Sequence, residues 1–303
     1  MLKGVALSIT ATSLFAGLYY YATLLHPLTG EMIFGWRMVL MMPCITVFLI
    51  ATGEWRKVKA LCLRIRKSPQ LFLYLVLSSA LLGSQQWLFM WAPLNGQALN
   101  VSMGYFLLPL VMLLVGRYFY KERLSGMQKL AAASAAIGVA NEFYQVGGVS
   151  WTSLFVCLGF PAYFALRRRL NTAHLGGLWF DVTLTLPAAF CFVSRTPHDA
   201  FSTAPHLSVL LCLLAIISAA AFMAYTVANR LLPFGLFGLL GYVEPVLMVM
   251  VSLMLGERIH AEQWLTYIPI WIAVLLLAAE GGTNLAGFKL KRRVLAGSPC
   301  DCN

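Results

Sequence analysis

The 303 residues include 60% hydrophobic and only 11% charged side chains, with a mean hydropathy of +0.78, which leaves no room for a sizeable soluble domain. Twenty-two Lys and Arg stand against 11 Asp and Glu, a net charge of +11. Their placement along the chain makes that excess a topology signal and argues against nucleic acid as a partner. No G-x-x-x-x-G-K-[ST] phosphate loop occurs, so ATP hydrolysis by that route is excluded.

Ten apolar windows follow one another with short connections, at 4–25, 31–51, 70–92, 98–120, 126–143, 149–166, 175–193, 207–229, 235–255 and 262–280. Roughly 20 residues at about 1.5 Å each cross a hydrocarbon core of about 30 Å, so the windows predict an all-α integral membrane protein of ten transmembrane helices. The first starts at Gly4 without a small-residue cleavage pattern and reads as a retained helix bearing Tyr19 and Tyr20. The second holds Arg37 about six residues in. Segment 53–69 alternates six cations with Trp55, Val58, Leu61, Leu63 and Ile65, the pattern of an interfacial amphipathic helix. The third carries Gln85, Gln86, Trp87 and Trp91, and the fourth Asn100, Ser102 and Tyr105. Tyr163 lies in the sixth, Asp181 in the seventh, Tyr225 and Asn229 in the eighth, and Tyr242 and Glu244 in the ninth. Gly235, Gly238 and Gly241 recur there at a spacing that lets backbones approach.

With the N-terminus inside, 19 basic residues fall on the inner side, against Arg195 and Arg258 outside and Arg37 within a helix. Both termini are predicted cytoplasmic, with the basic loops against anionic headgroups. The seven cysteines form no extracytoplasmic pair, and the tail Cys300-Asp301-Cys302 lacks the histidines of a metal site. His26, His174, His198, His206 and His260 show neither zinc spacing nor a Ser-His-Asp arrangement. No cofactor, no metal and no enzyme activity are expected.

The chain also repeats itself. Gly104-Tyr105 matches Gly241-Tyr242, Pro109 matches Pro245, Glu122-Arg123 matches Glu257-Arg258, and Gln128 matches Gln263. Arg37 and Pro43 are six residues apart in the second helix, as Asp181 and Pro187 are in the seventh. An odd number of helices per copy forces the second copy to enter inverted. The expected domains are therefore a five-helix repeat at 1–145, an inverted repeat at 146–285, and a short basic cytoplasmic tail at 286–303.

Charges at membrane depth cost about 2.5–3.5 kcal/mol on insertion scales and usually face a cavity or each other. Glu244 lies near the midplane of its window, and Arg37 and Asp181 approach from opposite faces. Two readings stay open: a structural ion pair of Arg37 with Glu244 or Asp181, or a substrate-binding or coupling site. Around them, Tyr105 and Tyr242 lie at matched depths and are expected to line one cavity, with Gln86, Trp87 and Asn100 as further candidates. Such a lining suits a small, partly apolar or planar solute.

The run GSQQWLFMWAPLNGQALNVSMGYFLLPLV with KERLSGMQ, and the segments EMIFGWR, FDVTLTLP and LFGLLGYVEPVLMVMVSLMLGE, resemble the RarD-type permeases of the drug/metabolite transporter superfamily. The resemblance implies two EamA-like five-helix repeats in a bacterial inner-membrane permease, of the kind associated with chloramphenicol. Family members commonly carry Glu where this chain has Asn100, and a small residue where it has Glu244, so fold and transport class carry over and the substrate does not. The expectation is a secondary transporter, an exporter of a small metabolite or drug-like solute, with protons as candidate coupling ion. An importer, a non-transporting scaffold or receptor, and a homodimer stay open.

Overall fold

The computed structural model describes residues 2–119, 125–146, 150–197, 200–232, 243–259, 261–276 and 279. Each apolar window contains a helix, because an apolar segment in lipid must satisfy its backbone internally. These are α1 (Leu2–Tyr21), α2 (Gly30–Ala51), α4 (Gln70–Trp91), α5 (Ala98–Phe119), α6 (Gly126–Val146), α7 (Trp151–Leu170), α8 (Leu175–Val193), α10 (His206–Leu231), α11 (Val243–Met254) and α12 (Trp264–Leu276). Between them lie the connecting helix α3 (Trp55–Lys67) and one turn, α9 (Ala200–Thr203). No strand occurs among the described residues.

Five spans are long and apolar enough to cross a membrane: Lys3–Leu25, Gly30–Ala51, Gln70–Leu94, Leu175–Val193 and His206–Ala228. Their outward surfaces carry Val47, Ile50, Leu73, Leu77, Val209 and Ile216, all exposed. An apolar coat of this kind is unstable in water and at home in lipid. The chain is a multi-pass membrane protein.

Inside, small polar side chains bond their own helix. Ser102, Ser218 and Ser252 donate to the carbonyls four residues back, at 2.9, 2.6 and 2.9 Å, which satisfies a hydroxyl without water. The buried apolar side chains divide into two clusters. One joins α1, α2, α4, α7, α8 and α10 with Val58 and Leu61 of α3, Ala98 and Val101 of α5 and Met248 of α11; the other joins α5, α6, α11 and α12 with Cys157 of α7. Helices approach closely where glycine leaves room. A Cβ on Gly104 of α5 would lie 2.8 Å from both the Ser153 carbonyl oxygen and Val156 Cβ of α7.

The α3 helix follows its sequence pattern. Val58 and Leu61 are buried, and Lys57 and Val58 rest their backbone on Gly176 at the start of α8, where a Cβ would lie 2.9 Å from the Lys57 carbonyl carbon. Trp55 meets Trp179 edge to face at 5.3 Å. On the polar side Arg64 Nη2 donates to the Leu170 carbonyl at 2.9 Å, satisfying an orphan acceptor at the end of α7. Asn171, in the left-handed region at φ 56°, ends that helix.

Candidate functional site

Arg37 sits seven residues into α2, about 10 Å by helical rise, and is fully buried. Its Nε donates to Ser218 Oγ of α10 at 2.8 Å and its Nη1 to Gln86 Oε1 of α4 at 3.0 Å. Ser218 spends its own proton on Leu214, so its oxygen is free to accept. The guanidinium carbon lies 5.7 Å from the centroid of Phe89 and 5.9 Å from that of Phe222, contacts worth about 0.5–2 kcal/mol each. None of these neighbours carries a negative charge, and among the described residues Nη2 has no hydrogen-bond partner.

The ion pair of Arg37 with Glu244 or Asp181, one of the two readings open from the sequence, is not formed among the described residues. Among the described residues no carboxylate lies within 4 Å of Arg37. Asp181 is claimed by another cation. Its Oδ2 accepts from Tyr163 Oη at 2.9 Å and stands 3.5 Å from Arg167 Nη1, which itself donates to Tyr163 Oη at 2.6 Å. Arg167 also donates to the carbonyls of Thr172 and His174, tying the α7–α8 turn to the carboxylate. Arg167 was counted in the sequence among topology-setting cations, and it folds back instead of facing headgroups.

Tyr105 belongs to α5 and Glu244 to α11. Both Arg37 and Glu244 act electrostatically on the half-buried Tyr105, and Glu244 acts on Tyr225 of α10 as well. Rings close the surroundings: Tyr105 lies 6.5 Å from Phe89 and 5.5 Å from Phe160, while Phe15 lies 5.2 Å from Phe222 and 6.2 Å from Tyr225. The arrangement is a cation between aromatic faces, with an acid acting on the neighbouring Tyr105 and Tyr225, chemistry of the kind that suits a charged group joined to an apolar body.

Other candidates fall elsewhere. Asn100 Nδ2 donates to Gln97 Oε1 at 2.8 Å, and its carbonyl accepts from Ser153 Oγ at 2.6 Å. Trp87 packs on Trp91 at 5.8 Å, which meets Trp151 at 5.8 Å. Tyr242 and the glycines of 235–241 lie outside the described residues. Sequence reasoning missed Ser218, Phe89 and Phe222. Nothing marks them out beforehand, since Ser218 lies in an alanine-rich stretch and the chain has 19 phenylalanines.

One further polar contact joins distant parts of the chain. Glu257, in the turn after α11, accepts from the backbone N–H of Ala98 at 2.8 Å and of Leu99 at 2.6 Å. A carboxylate on two orphan donors at a helix start is a charge-assisted cap. Glu257→Ala is expected to lower stability by about 1–2 kcal/mol, and Glu257→Gln by less, read as thermal unfolding of the purified protein in detergent.

Similarity to known proteins agrees with this architecture. No family model matches the chain. It is 44% identical over 277 residues to the chloramphenicol-sensitive protein RarD of Pseudomonas aeruginosa, covering 90% of this chain and 93% of that one. It is 41% identical over 286 residues to an uncharacterised transporter of Pasteurella multocida, covering 94% and 98%, and 40% identical over 286 residues to one of Haemophilus influenzae, covering 93% and 95%. A crystal structure with 14% sequence identity superposes with a TM-score of 0.53 over 92% of this chain and 98% of its own, a likeness of fold alone. With 44% identity across 90% of its length to a RarD protein, the chain belongs to the RarD-type transporter family.

Proposed function

We propose that the protein is a secondary transporter exporting a small metabolite or drug-like solute by alternating access between inverted repeats at 1–145 and 146–285. The observation that carries this reading is the charged, aromatic site between the two halves. Arg37, Gln86, Phe89 and Tyr105 come from the first, and Ser218, Phe222, Tyr225 and Glu244 from the second. Substrate sites at a repeat interface are the rule in such folds.

The helix neighbours support the repeat. If α1, α2, α4, α5 and α6 correspond to α7, α8, α10, α11 and α12, a two-fold exchange should map contacts onto contacts. It does so for the main pairs except α2–α4, whose α8–α10 counterpart is not packed to the same degree among the described residues. The α1–α10 packing has its counterpart in α7–α4, α5–α7 in α11–α1, and α2–α10 in α8–α4. The pairs α2–α8 and α5–α11 map onto themselves. So does α6–α12, where Ser134 Oγ donates to the Pro269 carbonyl at 2.8 Å. Each buried cluster also draws equivalent helices from both halves. In this reading the termini are cytoplasmic, the tail 286–303 is a basic segment at the inner face of the bacterial inner membrane, and protons are the coupling ion.

The test is uptake and efflux in proteoliposomes against a panel of amino acids, nucleosides, cofactors, organic acids and chloramphenicol, with and without a pH gradient. Gradient-driven efflux of one class is the expected result. Absence of protein-dependent flux for every member would contradict transport, and accumulation in the opposite sense would make the protein an importer.

A further inference from the structure

We infer that Arg37 is the recognition point for a carboxylate, and that the transported solute is an organic monoanion with a planar, apolar body. The inference rests on the transporter reading and names its substrate class. A guanidinium offers five N–H donors in a planar fork. Here Nε and one N–H of Nη1 are engaged by neutral oxygens, whereas Nη2, fully enclosed by the protein, has no partner among the described residues. An arginine with no exposed surface and no carboxylate within 4 Å among the described residues is a buried charge lacking its counter-ion. Guanidinium and carboxylate match in shape and bond in pairs, so a carboxylate arriving at Nη2 supplies the missing charge and hydrogen bonds at once. One guanidinium balances one negative charge, which favours a carboxylate over a doubly charged phosphate. Phe89 and Phe222 flank the cation, with Tyr105 beyond Phe89, and their faces suit a flat apolar group next to the anion.

Glu244 acts on the same Tyr105 and is the competing account: it would be Arg37's counter-ion in another conformation. Gln86 gives the means to separate the two. Its Oε1 already receives Nη1, so Gln86→Glu places a carboxylate on Arg37 within the protein.

The experiment is equilibrium binding by thermal unfolding of the purified full chain in detergent, with aromatic monocarboxylates and their neutral amides as paired probes. The carboxylates are expected to raise the unfolding midpoint of the wild type and the amides to leave it unchanged. Binding should weaken by about 100-fold in Arg37→Gln. Gln86→Glu should fold and unfold at or above the wild-type temperature, and lose carboxylate binding because its cation is already neutralised. This variant keeps the test decisive if Arg37→Gln fails to fold. Equal binding of acids and amides, no binding of either, or full carboxylate binding by Gln86→Glu would each overturn the inference. Protein-dependent flux with no preference for carboxylates would remove the substrate class and leave transport standing. Carboxylate binding without flux of any solute would remove transport and leave the anion site.

Discussion

Asp181→Ala should destabilise the protein by about 3–5 kcal/mol, the cost of removing one partner from a buried ion pair. The change leaves Arg167 half-wrapped by Tyr163 and two carbonyls with its charge uncompensated. Ser79 and Thr185 would not suffer directly, since their hydroxyls bond the backbone carbonyl of Asp181, at 2.7 and 2.8 Å, and that carbonyl survives the substitution. The double variant Arg167→Met, Asp181→Ala should be no less stable than Asp181→Ala alone, because the lone cation is gone. Thermal unfolding of Asp181→Ala, Arg167→Met and the double variant in detergent closes the cycle. Wild-type stability in Asp181→Ala would show that the pair holds nothing together.

Glu244→Gln should have the opposite signature: nearly wild-type amounts of folded protein, and a solute flux that no longer responds to a pH gradient. Arg37 is not within ion-pair distance of Glu244, so neutralising the acid strands no cation there. An acid kept inside the membrane despite an insertion cost of about 2.5–3.5 kcal/mol is retained for something other than that pair. In the transport mechanism proposed above, Glu244 is assigned proton exchange beside Tyr105 and Tyr225. Gradient-driven flux should fall by about tenfold or more, to the level reached without a gradient. Unaltered gradient dependence in Glu244→Gln would exclude coupling through this residue.

Much of the architecture was legible in the sequence because lipid imposes a strong rule on length and composition. The helix windows and the amphipathic α3, with Val58 and Leu61 turned inward, follow from residue order alone. The depth of Arg37 was legible for the same reason. Its partners were not, because Gln86 and Ser218 lie 49 and 181 residues away and only packing brings them together. The run Arg167-Arg168-Arg169 shows another limit: a charge count treats all three alike, while one turn of helix decides that Arg167 points back at Tyr163 and Asp181. Glu257 stood out through its match to Glu122, yet its role as a cap depends on α5, some 158 residues before it in the chain. Pairing rules for charges at membrane depth pointed to Arg37 with an acid, and the structure surrounds Arg37 with neutral oxygens and rings instead.

In the proposed alternating-access mechanism the ends of the two proposed repeats separate in every cycle, and the Glu257 contact with the start of α5 would join them at the expected outer face. The most direct measurement is flux in proteoliposomes for a variant with Ala98→Cys and Glu257→Cys in a background lacking the seven native cysteines, bridged by a short, reducible bis-thiol reagent. Flux of the solute found in the panel should stop when the bridge forms and resume when it is reduced, while the unbridged variant transports throughout. Undiminished flux through the fully bridged protein would contradict the account.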